Sequence, residues 1–271
     1  MTTPLTPLLL VGAGRMGGAL IAGWRLAGAF MGRDLIVRDP RPGPAAVDAR
    51  DAGARLNPPD ADLAGARTIL LAVKPQAWRD AALEIVSNLA PDATVVSIMA
   101  GVGADELAEV FAGRPIARAM PTTAAAVGKS ITGLYAADRR ARARARALFE
   151  PVGAVIDLEG EESMHAVTAA SGSAPAFFYA FVEALHGAAV GAGLPTATAA
   201  RLVAGAVTGA AALMERTGED PADLRRQVTS PGGTAQAGLE VLAEPNGLDD
   251  LLARAVATAA ARSRTLSGAR R

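Results

Sequence analysis

The chain contains no cysteine and only two histidines, His165 and His186. Disulfides, thiol nucleophiles and cysteine metal sites are therefore excluded, and two histidines argue against a histidine metal cluster. Aromatic residues make up only 4% of the 271 residues, whereas 51% are hydrophobic and many of these are alanine. That balance suits closely packed helices. Neither charge sign dominates, with 27 Lys plus Arg against 27 Asp plus Glu, so no strong field is available for nucleic acid. No apolar run reaches membrane-spanning length, and the N-terminus lacks the basic segment and cleavage site of a signal peptide. A soluble cytoplasmic protein without a membrane partner is expected. Its length allows two domains and a sizeable core.

Glycine opens a helix at two places. The later one is Thr229-Ser230-Pro231-Gly232-Gly233-Thr234-Ala235, set inside Ala-rich helical sequence. Pro231 cannot continue a helix, and the two glycines reach backbone angles closed to other residues. A new helical pattern (Leu239, Val241, Leu242) begins near Thr234. Such a turn presents free backbone N–H groups and the positive end of the helix dipole, which suits an anion of carboxylate size. The competing reading is an interhelical turn with Thr234 as N-cap.

The earlier one follows Leu8-Leu9-Leu10-Val11, a wholly apolar run that reads as a buried parallel strand. Gly12-Ala13-Gly14-Arg15-Met16-Gly17 comes next, and a helical pattern continues through Leu20, Ile21, Trp24 and Leu26. G-x-G-x-x-G between strand and helix points to a dinucleotide. Gly12 allows the tight turn, Gly14 lets a pyrophosphate approach the backbone, and Gly17 lets helix and strand pack closely. A second strand over residues 34–38 ends in Arg38-Asp39-Pro40-Arg41. Asp39 suits the adenine ribose of NAD, whereas Arg38 and Arg41 suit the 2′-phosphate of NADP. Asp39 also fits a plain turn residue before Pro40. NADPH and NADH both stay open.

Thr68–Val73 is another buried strand, and Ala72, Val73, Lys74 and Pro75 form its C-terminal edge, where ligands bind in this architecture. A solvated lysine at a strand end would look the same. A strand over residues 93–98 ends in Met99-Ala100-Gly101, whose small residues leave room for a nicotinamide. Ile116–Met120 is a further strand. Alternating strands and helices predict a doubly wound parallel sheet. Residues 131–135 and 152–156 read as added edge strands, and Arg139, Arg140, Arg142, Arg144 and Arg146 between them as a solvated helix surface.

After Asp157 the strand signals stop. Residues 161–170 are helical in pattern, Ser171-Gly172-Ser173-Ala174-Pro175 interrupts them, and a long helix follows with Phe177, Phe178, Phe181, Val182, Leu185 and Val190 at helical spacing. Further helices cover 196–216, a short stretch from Pro221, and Leu248 to Thr265. The fold class is α/β: an N-terminal Rossmann-type doubly wound, mostly parallel sheet over 1–160, then an all-helical domain over 161–271. Helices apolar on more than one face imply a subunit interface.

In these blocks the chain resembles the Δ1-pyrroline-5-carboxylate reductases over nearly its whole length. The blocks are Gly12–Gly17, Ala72-Val73-Lys74-Pro75, Arg118-Ala119-Met120-Pro121, Ser171–Phe177 and Ser230–Thr234. The resemblance implies reduction of a cyclic imino acid to L-proline with NADPH or NADH. It also implies a helical dimerisation domain, with homodimers that can assemble into a larger ring. By resemblance, Glu161 and Ser173 fall at substrate-binding positions and Gln227 at a cofactor-contacting one. Ser230, Gly232, Gly233, Thr234 and Ala235 would surround the substrate carboxylate, with Thr234 as the candidate catalytic hydroxyl. No metal is implied.

Three positions depart from the family pattern. Thr122 stands where the family has Asn, Ala124 where it has Pro, and Ala235 where many members carry Thr. One residue on a helix is a rotation of about 100°, so Thr234 does not replace a hydroxyl at 235. A related reductase of another cyclic imine or keto acid, and a non-catalytic nucleotide-binding regulator, therefore stand beside pyrroline-5-carboxylate reduction as readings.

Overall fold

The structure is a computed structural model and describes residues 5–30 and 32–268. In chain order the first half runs β1 (Leu8–Val11), α1 (Arg15–Leu26), β2 (Leu35–Arg38), α2 (Pro44–Asp51), β3 (Arg55–Leu56), β4 (Thr68–Leu71) and α3 (Trp78–Ile85). It continues through β5 (Thr94–Ser97), α4 (Ala104–Val110), β6 (Ile116–Met120), β7 (Ser130–Tyr135), α5 (Arg139–Phe149) and β8 (Gly153–Asp157). The strands form one sheet in the order β3-β2-β1-β4-β5-β6-β7-β8. All neighbours are parallel except β6 and β7.

The strand sequences explain this sheet. Leu8 and Leu10 enter one core cluster, Leu9 and Val11 the other. The same alternation separates Leu70 from Ile69 and Leu71, and Val96 from Val95. Successive side chains point to opposite faces, so a run apolar at every position needs helices on both sides. Trp24 of α1 fills one side, its indole Nε1–H donating to the Leu148 carbonyl at 2.8 Å, and Trp78 of α3 fills the other.

Several expectations change. β3 is too short for periodicity to reveal. β7 is interior, paired with both β6 and β8, so of the two strands expected at an edge β8 alone is one. Arg144 is not part of a solvated face. It is buried, and its guanidinium donates to the Arg67 carbonyl at 2.7 Å and to Thr94 Oγ1 at 2.9 Å. On a five-arginine helix, position alone decides which cation turns inward.

The rest is helical: α6 (Met164–Val167), a π-helical stretch Thr168–Gly172, α7 (Ala174–Gly191), α8 (Thr196–Thr217), α9 (Pro221–Gln227), α10 (Thr234–Leu242) and α11 (Leu248–Gly268). Ser171 and Gly172 thus lie inside a helical run that widens locally. The chain divides into two compact units: residues up to Gly172 with the stretch from Ala259 onward, and Ser173–Thr258. The sequence places its boundary at 160/161 instead, where strands end. Residues 161–172 stay with the first unit through contacts to the sheet: Glu161 pairs with Arg118 on β6, Val167 packs against Gly133 on β7, and Gly172 lies against Met120. In the second unit α7 buries none of its residues within the chain. Phe178, Tyr179 and Phe181 of α7 and Leu202 and Leu213 of α8 are exposed. Among the described residues one helix, Thr196–Thr217, is long and apolar enough by length and composition alone to cross a membrane. Arg201 interrupts this helix, so it is not an unbroken apolar run in the sequence.

Candidate functional site

The β1–α1 turn has the shape its glycines require. Gly12 has φ +92°, and a Cβ there would lie 2.8 Å from the Ala72 carbonyl oxygen. A Cβ on Gly17 would lie 2.2 Å from the Gly12 oxygen, so turn and helix touch backbone to backbone. A Cβ on Gly14 would have no neighbour within 4 Å. Gly14 is the N-cap of α1 and no side chain caps this helix, so its first N–H groups face open space above the turn. The strand order reverses between β1 and β4, which is where doubly wound sheets bind ligands. These residues fit a dinucleotide pyrophosphate: space over Gly14, unsatisfied donors and a positive dipole end. Arg15 is exposed and Met16 half-buried on the first turn of the helix.

The β2 edge is more committed than its sequence suggests. Asp39 Oδ2 accepts from the Ala13 N–H at 2.6 Å, and Oδ1 from the Arg41 N–H at 2.7 Å. Its carboxylate ties the glycine turn to β2. Arg38 donates to the Pro58 carbonyl at 3.1 Å and pairs with Asp60, so its charge is directed into the 57–60 loop. Asn57 escapes the sequence reading. It has φ +48°, its side-chain oxygen accepts from the Asp39 N–H at 2.9 Å, and its Nδ2 donates to the Asp39 carbonyl at 2.8 Å. An Asn between two short strands carries no periodic signal.

Ala72, Val73, Lys74 and Pro75 leave the end of β4, with Lys74 exposed. Met99, Ala100 and Gly101 leave the end of β5 beside them. Arg118 on β6 lies beneath this second turn. It is 4% exposed, and its guanidinium donates to Glu161 Oε1 at 2.8 Å and to the Met99 carbonyl at 3.4 Å. Glu161 Oε1 also accepts from the Ala104 N–H at 2.8 Å. An open cavity of about 490 Å³ borders Arg118, Glu161, Glu162 and His165. His165 Nδ1 lies 3.0 Å from Ser263 Oγ. Burial, with the Arg118 and Arg264 charges, lowers the His165 pKa, against an opposing effect of Glu161.

The second unit carries further residues singled out in the sequence. In the turn before α10, Gly232 has φ +68° and Gly233 is an extended N-cap with φ −81°. Only Gly232 therefore needs a left-handed backbone. Gly233 is limited instead by the Ser230 oxygen, 3.0 Å from where a Cβ would sit. The N–H groups of this turn are not all free. Gly233 donates to the Ser230 carbonyl at 3.0 Å, and Gly232 to Gln236 Oε1 at 2.7 Å. Thr234 and Ala235 are exposed on the first turn of α10. Gln227, at the end of α9, donates through Nε2 to Glu219. Ser173 precedes α7. Among the described residues no group of three or more acidic or histidine side chains could hold a metal ion.

Comparison with known proteins follows the same division. Residues 161–266 match the family described as pyrroline-5-carboxylate reductase dimerisation, and residues 8–101 match the NADP oxidoreductase, coenzyme F420-dependent family. The exposed apolar α7 and α8 fall within that dimerisation region. A pyrroline-5-carboxylate reductase of Synechocystis is 36% identical over 261 residues, covering 95% of this chain and 97% of its own. A solved pyrroline-5-carboxylate reductase of Coxiella burnetii superposes with a TM-score of 0.87 at 29% identity, covering 97% of this chain and 99% of its own. That of Plasmodium falciparum, solved with NADP bound, gives 0.82 at 25% identity, covering 97% and 98%. With the dinucleotide turn, the α10 turn and the helical dimerisation region all in place, the chain belongs to the pyrroline-5-carboxylate reductase family.

Proposed function

We infer that this chain reduces 1-pyrroline-5-carboxylate to L-proline with NADPH or NADH. The reading is carried by the open space over Gly14 between close-packed Gly12 and Gly17, in a chain similar over 95% of its length to such a reductase. The β1–α1 turn and the α1 dipole hold the pyrophosphate. Asp39 and Asn57 shape the adenosine side, with Arg41 available to a 2′-phosphate. Ala72–Pro75 and Met99–Gly101 border the nicotinamide half. When bound, the cofactor supplies a hydride to the carbon of the C=N bond. The α10 turn takes the substrate carboxylate by backbone N–H groups, and Gly232 must exchange its bond to Gln236 for it. An imine nitrogen protonates near neutral pH, so the chain need not supply a strong acid. Positioning and exclusion of water supply most of the rate. Thr234 stands at the turn as the nearest hydroxyl, with Ser173, Ser230 and Ala235 as further substrate contacts and Gln227 as a cofactor contact.

The chain works in the cytoplasm as a homodimer through its C-terminal helices, or as a ring of such dimers, without a nucleic acid or membrane partner. Balanced charge supports the exclusion of nucleic acid. Ala235 favours one second reading, a reductase of a different cyclic imine. Steady-state turnover on five- and six-membered cyclic imino acids separates the two. A higher kcat/KM on the five-membered ring is expected, and preference for the six-membered ring would replace the substrate.

A further inference from the structure

We propose that Glu161 is a positioning residue, clamping with Arg118 the 99–104 turn that borders the nicotinamide, and not a substrate contact. The proposal rests on the cofactor reading above. Its observation is that one carboxylate oxygen, Oε1, is the common acceptor for two donors from different elements. They are the Ala104 N–H at the start of α4 and the Arg118 guanidinium from β6, each at 2.8 Å. Arg118 in turn reaches the Met99 carbonyl at 3.4 Å. The turn is thus held at both ends, Met99 by Arg118 and Ala104 by Glu161. Between them, a Cβ on Gly101 would lie 2.7 Å from Leu266 Cβ, so the last helix closes the third side.

Charge explains why the carboxylate belongs there. The side chain of Arg118 is 5% exposed and that of Glu161 is 29% exposed. A buried guanidinium left without its carboxylate is costly. Oε1 accepts from both Arg118 and Ala104, and these two bonds fix the orientation of the carboxylate between β6 and the start of α4. The helix starting at Ala104 has its own cap, Glu106 accepting from the Gly103 N–H at 3.3 Å. Glu161 is therefore not needed to form the helix. It joins the 161–163 segment to the cofactor turn.

Three variants test this: Glu161→Ala, Glu161→Gln and Ala104→Pro. Ala104 is the first helical residue, where proline is tolerated, and Gly103 before it is already extended at φ −75°, ψ 158°. Ala104→Pro therefore deletes the donor and keeps the helix. In cofactor-free protein, amide exchange across 99–104 should speed up in Glu161→Ala and Ala104→Pro. Glu161→Gln keeps an acceptor oxygen for the Ala104 N–H but loses the charge that faces Arg118, so its exchange should lie between wild type and Glu161→Ala. NADPH should bind more weakly to the first two variants, while an ADP-ribose fragment lacking the nicotinamide binds as before. The kcat should fall about 10- to 100-fold, the scale of a misplacement near 1 Å, with KM for the imine unchanged.

A raised imine KM in Glu161→Ala with unchanged exchange and NADPH affinity would overturn the proposal in favour of substrate contact. Faster exchange with unaltered NADPH affinity would also overturn it. If Glu161→Ala does not fold, Ala104→Pro decides alone. If the wild-type protein leaves pyrroline-5-carboxylate unreduced, the proposed function fails, while exchange and the two affinities still read the clamp.

Discussion

Replacing Gly14 by valine separates cofactor binding from folding, because the structure gives its side chain empty space. No atom lies within 4 Å of a Cβ at residue 14. The loss to the protein itself is confined to a poorer N-cap, about 1 kcal/mol. For a unit of this size that lowers Tm by roughly 2–4 °C. The same space is the one a pyrophosphate needs. Displacing it forfeits charge-assisted hydrogen bonds to the turn, about 1.5–3 kcal/mol each, or about 10- to 150-fold in Kd for every bond lost. Gly17→Ala makes the contrast, since its Cβ falls 2.2 Å from the Gly12 oxygen. Overpacking of this kind costs about 1–3 kcal/mol or more, so it should lower Tm first and affinity as a consequence. Calorimetric titration with NADPH beside thermal unfolding reads both effects. Gly14→Val with normal Tm and unchanged NADPH affinity would refute the assignment of residues 8–17 to the dinucleotide.

Gly233→Val should raise KM for the imine and spare NADPH affinity, since its Cβ approaches the Ser230 oxygen at 3.0 Å; steady-state kinetics with cofactor titration checks this. Ala235→Thr should maintain or raise kcat/KM on pyrroline-5-carboxylate by up to about 0.5–1.5 kcal/mol, and a clear loss would point to another substrate. Asp39→Asn should shift the kcat/KM ratio toward NADPH by removing a negative charge near the 2′-phosphate; an unchanged ratio places that carboxylate's role wholly in the Ala13 and Arg41 bonds. The His165 pKa is lowered in the folded protein, chiefly by burial. The unfolded chain therefore binds more protons, and the stability His165 contributes is present above about pH 6.5 and lost as pH falls below it. His165→Asn should flatten that part of the Tm–pH curve between about pH 7 and 5.

The sheet was legible because its strands are apolar at consecutive positions and its glycine turn falls between strand and helix. Leu8–Val11, Thr68–Leu71 and Thr94–Ser97 are buried throughout. What remained hidden depends on partners far along the chain. Arg144 looks like its four neighbouring arginines until Thr94 and the Arg67 carbonyl are brought beneath it. Asn57 has meaning only beside Asp39. Glu161 reads as a substrate ligand by resemblance, yet it is 57 residues from Ala104 and 43 from Arg118, the two groups it holds. The α10 turn was found from Pro231 and its glycines. Its internal bond from Gly232 to Gln236 was not, since glutamine four residues on is an ordinary helix residue.

The central claim is hydride transfer to a cyclic imine, and isotope transfer tests it most directly. The protein should be incubated with pyrroline-5-carboxylate and NADPH deuterated on the transferring face of the nicotinamide, and the product weighed by mass spectrometry. The account predicts L-proline carrying one deuterium at ring carbon 5 for each NADPH oxidised. Intact NADPH with no proline formed, or proline without the label, would contradict it.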